Sequence, residues 1–225
     1  MKRIVFVHIP KCGGTSIRSS LADYYDVTED YGHRVGRNSR ELIAEMEALN
    51  ASDFPENYHH QSCIFGHFLP VRYMKLYESG WKFVTWIRDP FQRLYSQYQH
   101  FMRHKEFFLV PEREQTIGGI VVRRQLSFEE YAVDPDFSNQ YQRFFYRFQP
   151  EKFAFIGITH HMQRDMSRLS RLLNLPFRVY NLNQGIDFQA VVPEIDDKLR
   201  RRVMAVHQQD YSLFHKISRS AKNPI

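Results

Sequence analysis

Ile4, Val5, Phe6 and Val7 form a β-branched and aromatic run that leads straight into His8-Ile-Pro-Lys-Cys-Gly-Gly-Thr-Ser16, after which Ile17, Leu21 and Tyr24 recur at helical spacing. The order is strand, glycine-rich turn, helix, and it opens many nucleotide-binding α/β domains. Gly13 and Gly14 allow a tight turn, and Thr15 and Ser16 begin a helix whose N-terminal amides can hold an anion. Lys11 adds a positive charge on the strand side. A Walker A loop places Gly-Lys-Ser/Thr at its end and serves a triphosphate with magnesium, whereas this lysine precedes the glycines and no metal-binding aspartate accompanies it. The same glycines also suit a turn with purely local geometry, with Thr15 or Ser16 as a cap. Cys12 has no well-placed base to make it a nucleophile and reads as incidental or packed.

The rest of the chain fits an α/β fold with a central, mostly parallel sheet flanked by helices. Asn38 or Ser39 can cap a helix with Leu42, Ile43, Met46 and Leu49 on one stripe. Ser62 to Gly66 and Lys82 to Ile87 read as strands ending at His67 and Arg88, and Phe153 to Ile158 as another. Asp89 and Pro90 start a helix that buries Leu94, Tyr98, Phe101 and Met102. Lys105 to Thr116 reads as a surface excursion, Gly118-Gly119 as a flexible break, and residues 126–148 as short helices packed by Tyr131, Phe137, Tyr141, Phe144, Phe145, Tyr146 and Phe148. A helix over Thr159 to Leu173, a short strand over Phe177 to Tyr180 and a last helix from Pro193 past Phe214 complete the reading. No linker or repeat interrupts the chain, so residues 1–225 are expected to form one domain.

Thirty-one Lys plus Arg against 25 Asp plus Glu give a net charge of +6, which favours anionic partners without naming one. With 43% hydrophobic and 25% charged residues the chain is neither disordered nor fibrous. Cys12 and Cys63 are the only cysteines, too few for a zinc knuckle, and a reducing compartment is the simpler setting. The first apolar run stops at His8, Pro10 and Lys11, short of a signal peptide, and no stretch approaches a transmembrane span. A soluble, cytoplasmic chain is expected, with an N-terminally trimmed membrane-associated enzyme as the alternative.

The second junction, Lys82 to Phe101, reads KFVTWIRDPFQRLYSQYQHF. Arg88 at the strand end suits a two-pronged phosphate contact, and Ser96, two helical turns past Pro90, can donate a hydroxyl hydrogen bond. Taken alone, Arg88 also suits an ion pair with Asp89 or another carboxylate, and Ser96 an ordinary helix position.

Together and in this order, PKCGGTS and IRDPFQRLYS resemble the sulfotransferases that use 3'-phosphoadenosine 5'-phosphosulfate (PAPS), especially the carbohydrate sulfotransferase branch and its bacterial relatives. The resemblance implies a P-loop NTPase-like sulfotransferase fold. It assigns Lys11, Cys12, Gly13, Gly14, Thr15 and Ser16 to the loop that binds the 5'-phosphosulfate, and Arg88 and Ser96 to the 3'-phosphate. FGHF at Phe65 to Phe68 further resembles the strand-end histidine of hexuronic acid 2-O-sulfotransferases, which implies His67 as catalytic base. The Arg-Lys-Gly-type adenine motif of the cytosolic small-molecule enzymes is not evident, which leaves the adenine contacts unassigned.

On this reading Lys11 meets charge on the leaving oxygen, His67 takes the acceptor proton, and no metal or covalent intermediate is required. The acceptor is a glycan or another hydroxylated molecule. Asn139 and Arg143 are candidates for binding it, and Arg103, His104, Arg123, Arg124 and Arg147 favour acidic molecules. His59-His60 and His160-His161 form no HExxH metal site. Two other classes fit the charge and the loop: a non-catalytic nucleotide, phosphate or nucleic-acid binding protein, and a nucleotide-dependent phosphotransferase. The first lacks a nucleic-acid module and the second a metal constellation.

Overall fold

The computed structural model describes residues 2–31, 62–178, 180 and 196–220. Its strands are β1 (Ile4–Val7), β2 (Val27–Asp30), β3 (Cys63–Gly66), β4 (Lys82–Ile87) and β5 (Phe155–Ile158), and its longer helices are α1 (Gly14–Ala22), α2 (Pro90–Arg103), α3 (Met162–Leu173), α4 (Asp197–Val206) and α5 (Gln208–Ser220). The helix expected around residues 38–49 lies outside the described residues. The described chain divides into two compact units, one containing residues 2–31, 62–88, 144–178 and 180, the other residues 89–143 and 196–220.

The first unit is an α/β layer structure. Its sheet runs β2-β3-β1-β4-β5, and every described pairing is parallel. β1, β3 and nearly all of β4 are buried, the pattern of strands covered on both faces. Phe6 of β1 stacks on Phe65 of β3 at 4.7 Å and on Trp86 of β4 at 5.9 Å, so aromatic rings bridge the three central strands on one face. α3 buries Met166, Leu169 and Leu173 and is fixed to β5 by the fully buried Asp165, whose Oδ2 accepts a 2.8 Å bond from the Ile158 amide. Arg164 and Arg168 pair with the same carboxylate.

The chain leaves β1 toward the β3 and β2 side of the sheet, but leaves β4 toward β5 on the other. Adjacent parallel strands whose exits diverge open a crevice at their carboxyl ends, where α/β folds bind ligands. β2 is not evident in the sequence reading. Its Val-Thr-Glu-Asp is held by parallel pairing with β3, Asp30 standing opposite Gly66. Phe177, Arg178 and Tyr180 are not in a strand.

The second unit is helical. Asp89 caps α2 by accepting from the Gln92 amide at 3.0 Å, with Pro90 in the first turn. Phe91, Leu94, Phe101, Phe108, Ile117, Val121, Tyr131 and Phe137 form its apolar core with Val203 of α4. Lys105–Leu109 is a short helix anchored by the buried Phe108 on an otherwise exposed excursion. Gly118-Gly119 is not a break: both glycines lie inside the helix Ile117–Arg123, capped by Thr116. A Cβ at Gly118 would meet the Phe108 ring at 2.4 Å, and one at Gly119 the Arg113 carbonyl oxygen at 2.0 Å, so close packing selects glycine there. The last helix is in fact two, α4 capped by Asp196 and α5, parted at the fully buried His207.

Candidate functional site

The sheet register sets the site. Val7 at the end of β1 stands opposite Gly66 of β3 on one side and Thr85 of β4 on the other, so His8, His67 and Arg88 all leave the carboxyl edges of neighbouring strands. The His8 amide continues the ladder by donating to the Gly66 carbonyl at 2.8 Å. Thr85 Oγ1, inside the sheet, donates to the Val7 carbonyl at 2.6 Å. The two histidine rings then meet: His67 Nε2 lies 3.0 Å from His8 Nδ1, with centroids 4.5 Å apart. Tyr31, just beyond β2, stands edge-on to His67 at 5.0 Å.

The turn from β1 into α1 reverses through two left-handed residues, Lys11 at φ 66° and Gly13 at φ 86°. Left-handed backbone is easy for glycine and unusual for lysine, so the loop holds Lys11 in a specific shape. Gly13 is the N-cap of α1 and offers no side-chain cap, which leaves the first-turn amides directed out of the helix end. A Cβ at Gly13 would be 2.6 Å from Met162 Cε, and one at Gly14 only 1.9 Å from His8 Nε2. Gly13 is thus selected by its left-handed backbone and Gly14 by the His8 ring packed against it. Thr15 is exposed, Ser16 is buried, and the buried Cys12 directs its Sγ at the Pro10 carbonyl, the packed state expected of it.

Thr159, directly after β5, braces this edge. Its Oγ1 lies 3.0 Å from the carbonyl oxygens of both Cys12 and Ile87, so one hydroxyl ties the turn to the end of β4 beside Arg88.

Electrostatics separate the two histidines from ordinary surface ones. Burial lowers the His67 pKa to about 4. Burial, then His67 and Lys11, hold His8 well below the usual imidazole value. Both rings are neutral at pH 7, each with one N–H and one lone pair.

Ser96, Asn139 and Arg143 belong to the second unit. Ser96 is half-buried on α2. Asn139 is left-handed at φ 51°, and its Nδ2 donates to the Ser138 hydroxyl at 3.4 Å and the Val206 carbonyl at 3.5 Å. Arg143 is 6% exposed and donates to the Asp136 carbonyl at 3.2 Å, an interior position in its own unit. Sequence reasoning missed His8 and Thr159. His8 stands at the strand end ahead of Lys11, but only the sheet register pairs it with His67, and Thr159 is an unremarkable residue in sequence.

The chain belongs to the sulfotransferase family, whose profile matches residues 1–216. No curated protein matches it. Among solved structures it is similar to a sulfotransferase from Alicyclobacillus acidocaldarius, with 16% identity over 93% of this chain and 92% of that one and a TM-score of 0.46. It is also similar to mouse sulfotransferase SULT7A1 complexed with PAP, with 12% identity over 91% of this chain, a span of 62% of the mouse protein, and a TM-score of 0.39. Among the described residues no helix is long and apolar enough to cross a membrane, and no three His, Cys, Asp or Glu side chains group as metal ligands.

Proposed function

We propose that this protein transfers the sulfuryl group of PAPS to a hydroxyl of a carbohydrate or other hydroxylated acceptor, with residues 1–225 acting as one sulfotransferase domain. The observation that supports this reading most directly is the arrangement at the carboxyl edge of the sheet. An uncapped helix N-terminus and Lys11 follow β1, Arg88 follows β4, and a neutral His67 follows β3.

PAPS supplies an activated sulfuryl group on a phosphate leaving group. The turn fits it: the first-turn amides of α1 carry no side-chain cap, and Lys11 adds a charge without a metal. In sulfuryl transfer the acceptor oxygen approaches sulfur opposite the departing phosphate oxygen, on which negative charge grows. Lys11 and the first-turn amides of α1 stabilise that charge, an effect worth about 10²–10³ in rate per donor in comparable oxyanion sites. His67 takes the hydroxyl proton, and as a neutral imidazole it has the lone pair for it at pH 7. Arg88 takes the 3'-phosphate through its two-pronged guanidinium. The FGHF setting of His67 favours a sugar acceptor, as in the carbohydrate branch it resembles.

The test is incubation with sulfur-35-labelled PAPS and a panel of glycan and small hydroxylated acceptors, alongside calorimetric titration with adenosine 3',5'-bisphosphate, ATP and an oligonucleotide. Labelled product and a preference for the bisphosphate are expected. Tighter binding of ATP or oligonucleotide with no sulfated product would overturn the reading in favour of a phosphotransferase or a binding protein.

A further inference from the structure

We propose that His8 is a positioning residue for His67: it accepts the Nε2–H of His67 at its own Nδ1, which leaves Nδ1 of His67 as the atom that takes the acceptor proton. The inference rests on the sulfuryl-transfer reading and concerns the same site.

The 3.0 Å separation of His67 Nε2 and His8 Nδ1 is a hydrogen bond between two neutral rings, so one nitrogen donates and the other accepts. If His8 donated, His67 would spend its lone pair on His8 and carry its proton on Nδ1, with no basic atom left. If His67 donates, its Nδ1 lone pair is available. Proton abstraction by His67 therefore requires the second arrangement.

The surroundings of His8 favour it too. The Nε2 edge of His8 lies against Gly14, the first residue of α1, where the turn is suited to an anion. That edge is taken up by packing against the helix start, which leaves Nδ1 as the His8 nitrogen that faces His67. His8 is also held firmly. Its amide is bonded to Gly66, and its ring packs on Phe65 at 5.0 Å, so the acceptor stands in a fixed place. Burial and the neighbouring Lys11 charge disfavour protonation of His8, so it stays an acceptor while His67 becomes charged.

The step balances as follows. The acceptor oxygen forms its bond to sulfur as its proton moves to His67 Nδ1, and the electron pair of the breaking sulfur–oxygen bond goes to the 5'-phosphate oxygen. The resulting His67 imidazolium still donates Nε2–H to His8, and gives up its extra proton to water after product release.

The test combines nitrogen-15 NMR of the histidine side chains with kinetics of three chains: wild type, His8→Phe, which keeps a ring but no acceptor, and His8→Asn, whose amide oxygen can replace Nδ1. In the wild type at pH 7, His67 is expected as the Nε2–H tautomer, with that proton protected by a hydrogen bond. Protection is lost in His8→Phe and regained in His8→Asn. His8→Phe is expected to lower kcat about 10–100-fold, the usual cost of losing a partner that orients a functional histidine, with unchanged affinity for adenosine 3',5'-bisphosphate and partial recovery in His8→Asn. A His67 protonated at Nδ1, or a His8→Phe chain with wild-type kcat, would overturn the proposal. Absence of sulfated product from the wild type would remove the sulfuryl-transfer reading instead, and the tautomer measurement would still decide the direction of the histidine pair.

Discussion

His8 occupies the space that a side chain at Gly14 would need: a Cβ there would stand 1.9 Å from His8 Nε2. The start of α1 and the end of β1 are thus fitted to each other: Gly13 shapes the turn, and Gly14 makes room for a histidine.

Gly14→Ala is expected to destabilise the protein by about 1–3 kcal/mol, the usual range for overpacking, although alanine is the better helix former. Urea unfolding measures it. Adding His8→Ala should recover most of the loss, whereas simple additivity would show that the two residues do not compete for that space.

Thr159→Val removes the hydroxyl shared between the Cys12 and Ile87 carbonyls while keeping the shape. A loss of about 1–3 kcal/mol is expected, because the single hydroxyl proton that serves one or the other buried carbonyl is gone, with Thr159→Ser close to wild type. The same pair of variants, titrated with adenosine 3',5'-bisphosphate, reports whether the brace also keeps the turn in shape: valine should weaken binding and serine should not.

Lys11→Ala is expected to lower kcat about 10²–10³-fold, as when one donor to a developing charge is removed. Arg88→Ala should instead weaken adenosine 3',5'-bisphosphate by about 10–100-fold, the worth of one charge-assisted phosphate contact. Ser96→Ala, assigned by sequence resemblance, should act in the same direction and less strongly. Steady-state kinetics beside calorimetry separates the two kinds of loss, and equal effects of Lys11→Ala and Arg88→Ala on both would contradict the assignment.

Acid is expected to destabilise the fold below about pH 6.5. Burial holds His67 and His207 at about 4 in the folded chain, against an ordinary value of 6.5, and His8 is lowered in the same sense. Between those values the unfolded chain binds more protons, so stability falls as pH drops through the window. Asp210 acts oppositely: burial raises it from 3.8 to about 6, so the folded chain is the better proton binder there and offsets part of one histidine. Urea midpoints from pH 7 to 4 should therefore decline. His207 donates Nε2–H to the Ala132 carbonyl at 3.0 Å, and His207→Gln, which can keep that bond, should flatten the decline.

Local chemistry was legible in sequence wherever it decided the structure. The run into Gly13-Gly14 and the Asp89-Pro90 start of α2 stand where strand propensity, turn geometry and capping place them. What was illegible depends on partners distant in sequence. Val27–Asp30 carries two acidic residues and becomes a strand only through β3. Gly118 and Gly119 have the composition of a break, yet they sit in a helix capped by Thr116, and they are glycine because Phe108 and the Arg113 carbonyl leave no room for a side chain. The His8–His67 pair joins residues 59 positions apart, and nothing near either one in sequence announces the other.

β1 is the innermost strand, yet both of its hydrogen-bonding partners, β3 and β4, come after it in the chain. During synthesis Ile4–Val7 thus leaves the ribosome with two open edges and stays unpaired until residues 63–66 and 82–87 follow. An apolar strand in that state presents two rows of unpaired backbone donors and acceptors, the arrangement most open to pairing with another chain until β4 is released.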